Sequence, residues 1–109
     1  MLTTEITNEL MEGLVNIFGK NILQIILYGS VARGEETEES NIDIAIILDY
    51  GFDSEIRERF IAWASEMDLK YEKVFSIIDI EKANMDKWGN ILPFYKNIRQ
   101  EGITLWMAA

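Results

Sequence analysis

The sequence predicts an α/β (α+β) fold, a small mixed β-sheet packed by helices. Three observations lead there. Apolar positions switch between helical spacing and short β-rich runs, in the order α-β-β-α-β-α-α-β. The 109 residues are 49% hydrophobic, enough for one core and one domain spanning 1–109. A single proline and seven glycines exclude a fibrous or low-complexity chain.

Each element has its own reason. Ile6, Leu10, Met11, Leu14, Val15 and Phe18 repeat at helical spacing, which predicts a helix from Thr4 to Phe18. Thr3 or Thr4 can cap it and Gly19 can end it. Ile22 to Tyr28 is β-rich and reads as a buried strand. On the next strand Ile42, Ile44, Ile46 and Leu48 face one way. Asn41, Asp43, Ala45 and Ile47 face the other. Asp53 or Ser54 can cap a second helix, whose apolar face is Ile56, Phe60, Trp63, Ala64 and Met67. Val74 to Ile80 reads as a third strand and Lys82 to Trp88 as a short helix. A last helix, capped by Asn90 with Pro93 in its first turn, runs to Gly102. Ile103 to Trp106 closes the sheet.

Charge and composition exclude several functions. The net charge of −9 repels a phosphate backbone, so independent DNA or RNA binding is not expected, whereas cations and basic partners are favoured. With no cysteine and no histidine, chemistry must run on carboxylates, hydroxyls and backbone amides. Neither a signal peptide nor an apolar run of membrane-spanning length is present, so a cytoplasmic location is expected.

The chemistry concentrates between residues 29 and 43. Gly29-Ser30 lies between two apolar strands, where its backbone N–H groups and the Ser30 hydroxyl can cradle phosphate oxygens. Arg33 is either a further phosphate ligand or a surface ion-pair partner. Asn41 and Asp43, two apart on one strand, occupy positions where paired acids would hold Mg²⁺ against a bound phosphate chain. A third acid on a neighbouring strand would complete a two-metal site. Asp79 is the only acid inside the third strand as far as Ile80, and it is either that ligand or a helix cap. Phe75 or Ser76 can occupy the third position instead. The run Glu35, Glu36, Glu38 and Glu39 reads as a solvated loop.

The pattern Gly29-Ser30, ten residues, Asn41-Ile42-Asp43 resembles the signature of the DNA polymerase β-type nucleotidyltransferase superfamily, which is Gly-Ser, ten residues, Asp-x-Asp. Gly-Ser-Val-Ala-Arg-Gly and the ending Pro93 to Ile98 with Glu101-Gly102-Ile103 are similar to the minimal nucleotidyltransferases that act as antitoxins beside HEPN-domain toxins. That resemblance implies transfer of a nucleoside monophosphate from an NTP, ATP by expectation, to a hydroxyl of a HEPN toxin. It implies Gly29 and Ser30 on the triphosphate, and Asp43, position 41 and Asp79 as the catalytic and magnesium-ligating set. Asn41 departs from the pattern. An amide keeps an oxygen but lacks the charge that balances a second cation, so impaired transfer with retained nucleotide binding is expected. A natural departure and an introduced substitution both fit. The alternative function is a binding module that neutralises or scaffolds its partner by contact.

Overall fold

The computed structural model describes residues 2–35, 37 and 41–109. Helix α1 (Thr4–Phe18) starts where the Thr3 hydroxyl accepts the Ile6 N–H at 3.2 Å. It stops at Gly19, whose φ of 57° suits glycine. A 3-10 turn (Gly19–Asn21) leads into β1 (Ile22–Tyr28). The chain then forms one tight helical turn, α2 (Gly29–Ala32), where only a loop was expected. Strand β2 (Ile42–Leu48) follows, then α3 (Ser54–Tyr71), β3 (Phe75–Glu81), α4 (Lys82–Trp88), α5 (Pro93–Glu101) and β4 (Ile103–Met107).

The mixed sheet has the order β3-β2-β1-β4. The pairs β1–β2 and β1–β4 are antiparallel, and β2–β3 is parallel, joined by the α3 crossover. The pleat divides the apolar residues between two faces. Ile42, Ile44, Ile46 and Leu48 pack under α1 and α3 with Leu10, Leu14 and Met67. Ala45 and Ile47 turn to the other face, against Met85 of α4 and Ile98 of α5. Phe60 and Trp63 pack against the first cluster, as their helical spacing predicts.

Polar groups fix the ends. Asn21 is buried: its side-chain amide donates to the Tyr50 carbonyl and accepts the Tyr50 N–H, both at 2.9 Å. This ties the entry of β1 to the exit of β2, and sequence patterning gave no sign of it. The Asp53 side chain, rather than Ser54, caps α3 by accepting the Ile56 N–H at 2.9 Å. Asn90 does not cap α5. Leu92 holds that position without a side-chain bond, and the Asn90 carbonyl oxygen instead accepts from Arg99 at 3.3 Å. Among the described residues no helix is long and apolar enough to cross a membrane.

Candidate active site

The candidate residues gather where β1 ends and β2 and β3 begin, on the sheet face that carries α4 and α5. Asp43 is paired across the β1–β2 ladder with Tyr28 and across the parallel β2–β3 ladder with Ser76. Laterally paired residues share a face, so these three side chains stand on the same side of the sheet. Its odd-numbered place in β2 directs Asp43 to the side of Ala45 and Ile47.

Gly29 fits against this carboxylate. Its φ is +77°, and a Cβ at this position would collide with Oδ2 of Asp43. Only glycine meets both demands, backbone conformation and close approach. As the first residues of α2, Gly29 and Ser30 carry N–H groups without acceptors inside the helix.

Burial pushes the Asp43 carboxyl up from its ordinary range, and the Arg33 guanidinium partly opposes this. The Tyr28 hydroxyl is likewise pushed up, by burial first and by the Asp43 charge second. A carboxyl whose pKa is raised by folding holds its proton more tightly in the native state. Its stabilising contribution is therefore full at low pH and lost as pH rises through the native pKa. We expect Asp43→Asn to melt at a higher temperature than the parent at neutral pH. The two melting curves should converge as pH falls through the native Asp43 pKa, as followed by thermal denaturation across a pH series.

Arg33 is engaged by acids. Its guanidinium lies 3.1 Å from Glu35 and 3.8 Å from Glu101, the last residue of α5. Both contacts are solvent-exposed, so a competing anion displaces them at little cost. Glu36, Glu38 and Glu39 of the acidic run lie outside the described residues.

Two expected members of the site are placed differently from each other. Asn41 is exposed and lies one residue before β2 begins, two positions from Asp43. Asp79 is not brought to Asp43. It pairs laterally with Ile46, whose side chain belongs to the α1–α3 face. Three residues beyond Ser76, it has the opposite pleat. Ser76, the alternative, is the residue beside Asp43. The described residues contain no group of three or more His, Cys, Asp or Glu able to hold a metal. Asp43 flanked by an amide and a hydroxyl does not fit a carboxylate-bridged pair of magnesium ions, which needs acids at all three positions. Tyr28, Phe94 and Glu101 adjoin these residues, Phe94 through its ring contact with Tyr28 and Glu101 through its ion pair with Arg33. Tyr28 is marked in sequence only by its place before Gly29, and the other two carry no local signal.

Residues 12–106 match the family model described as polymerase beta, nucleotidyltransferase. The chain belongs to the polymerase β nucleotidyltransferase family. It is 36% identical over 98 residues to "Putative protein adenylyltransferase MJ0604" of Methanocaldococcus jannaschii, covering 90% of this chain and 92% of that protein. Solved polymerase β-type folds resemble it closely. A toxin-antitoxin structure with AMP-PNP superimposes with a TM-score of 0.66 at 19% identity, covering 94% of this chain and 73% of that one. A tri-AMPylated Shewanella oneidensis HEPN toxin in complex with MNT antitoxin gives 0.60 at 19% identity, with 94% and 70% covered. In this chain Gly29 lies against Asp43, and Ser76 is the lateral partner of Asp43 in the neighbouring strand.

Proposed function

We propose that this chain is a nucleotidyltransferase-fold module that binds a nucleoside triphosphate, ATP by preference, and neutralises or scaffolds a protein partner by contact, with nucleotidyl transfer strongly impaired. One observation carries the reading: Asp43 is the single carboxylate among positions 41, 43 and 76, seated against Gly29. Transfer of a nucleotidyl group depends on fixed charge around the phosphates. Here that charge is reduced, while the elements that cradle phosphate remain.

Gly29 and Ser30 hold the triphosphate through backbone N–H groups and the Ser30 hydroxyl. Arg33 leaves Glu35 and Glu101 to meet the same phosphates. Asp43 stays as an acceptor for a donor group of the ligand or for one cation. A HEPN-type toxin is the partner that the structural likeness to toxin-antitoxin complexes supports. A net charge of −9 suits a basic partner.

A second reading, active adenylylation of that partner, is favoured by the name of the 36% identical relative. The two part on the partner's intact mass. The chain is incubated with ATP, magnesium and a purified HEPN-domain protein, then resolved by size exclusion and mass spectrometry. A stable complex with unchanged partner mass is expected. Addition of AMP to the partner at a rate typical of an enzyme overturns the impaired-transfer reading, and absence of a complex overturns the contact role.

A further inference from the structure

Helix α5 meets residues flanking the Gly29–Ser30 turn at both of its ends. At its C-terminal end Glu101 meets Arg33, four residues after Gly29. At its N-terminal end the Phe94 ring lies 6.0 Å from the Tyr28 ring, edge to face at 87°. Tyr28 directly precedes Gly29 and is paired with Asp43. The phosphate-cradling turn is thus bracketed by one helix, and the aromatic end of that helix is not sealed. Phe94 is 49% exposed although it makes ring contacts with both Tyr28 and Tyr95. An aromatic ring held in place by two others, yet open to solvent and in contact with the residue before the Gly29–Ser30 turn, offers what a nucleobase requires: a fixed, accessible flat surface near a polar turn.

We infer that Phe94 is the nucleobase-stacking residue of this site, with Tyr28 as the positioning residue that fixes its ring. The inference rests on the nucleotide reading given above. The triphosphate lies along Gly29 and Ser30, and the base reaches out past Tyr28 to lie on Phe94. Stacking tolerates any base, so Phe94 adds affinity for nucleosides over bare polyphosphate and does not itself select adenine. Ile91 and Leu92, both exposed, lie just before Phe94 in sequence. They offer the competing explanation that Phe94 belongs to a protein-contact patch, which the following measurement separates.

Calorimetric titration of the parent chain, Phe94→Leu and Phe94→Trp with ATP and with inorganic tripolyphosphate, in magnesium-containing buffer, tests the assignment. Leucine keeps apolar bulk on Tyr28 and removes the aromatic face. The parent is expected to bind ATP more tightly than tripolyphosphate. Phe94→Leu should weaken ATP about tenfold, the loss of one stacked base, and leave tripolyphosphate unchanged. Phe94→Trp should restore ATP. ATP binding unaffected by Phe94→Leu overturns the inference and leaves the nucleotide reading standing, with Phe94 assigned to partner contact. Equal weakening of both ligands also overturns it, since Phe94 then only shapes the phosphate end. Failure of the parent to bind either ligand overturns the nucleotide reading itself, and the inference with it.

Discussion

Placing acids at positions 41 and 76 together, as Asn41→Asp with Ser76→Asp, is expected to raise nucleotidyl transfer by at least about a hundredfold over the parent. Removing a single preorganised electrostatic group from an active site commonly costs about 10²–10³ in rate. The double variant adds two such groups beside one already present. Geometry makes position 76 as important as position 41. Ser76 is the lateral partner of Asp43 in the parallel ladder, so its replacement puts a second carboxylate on the same face. Asn41→Asp alone should give a smaller gain. Asp79→Asn should leave the rate of either variant unchanged, because Asp79 pairs with Ile46 and has the opposite pleat. Labelled-ATP transfer to the partner checks the rate. Mn²⁺ titration by electron paramagnetic resonance checks separately that the added acids create cation affinity. A double variant no more active than the parent would place the impairment elsewhere than in these two side chains.

Gly29→Ala is the substitution with the largest expected structural consequence for its size. The left-handed backbone at φ +77° costs a non-glycine residue roughly 1–2 kcal/mol. The added methyl also meets Oδ2 of Asp43, so the carboxylate must move or the turn must open. Overpacking of this kind costs about 1–3 kcal/mol more. We expect a loss of roughly 2–5 kcal/mol in urea unfolding, together with loss of ATP binding at concentrations that saturate the parent. Combining it with Asp43→Ala separates the two effects. Relieving the collision should recover the overpacking part of the stability and none of the binding. Full recovery of stability in the double variant would mean that backbone conformation contributes nothing at this turn.

These two sites also show where the sequence is legible. The strand that ends at Tyr28, the turn at Gly29-Ser30 and the strand that starts after Asn41 are written in local patterns: an apolar run, a small residue where φ must be positive, and period-two alternation. Element order follows from such signals, and so does the pairing of Gly29 with Asp43, which a short connection brings together. The identity of the third position does not. It depends on the register of β2 against β3, and an eighteen-residue helix, α3, separates those strands. Nothing within either strand states whether Ser76 or Asp79 stands beside Asp43. A one-residue slip exchanges the faces, so an acid in the right strand had the wrong pleat. Phe94 and Glu101 were illegible for a related reason. Their contacts with Tyr28 and Arg33 join segments more than sixty residues apart. Asn90 misled because its side chain suits a cap, yet Arg99 claims it.

The central place of β1 in the sheet has a consequence for how the molecule is made. One neighbour, β2, follows it at once, but the other is β4, where Gln24 waits for Met107. During synthesis the early hairpin emerges with one side of the Ile22–Tyr28 strand unmatched until β4 has left the ribosome. Until then an apolar strand edge is open to other nascent chains. The contacts of Tyr28 and Arg33 with Phe94 and Glu101 share this timing, because α5 is made just before β4. A product shortened ahead of α5 would accordingly be an aggregation hazard, and arrival of the segment from α5 through β4 should be the step at which chaperones matter most.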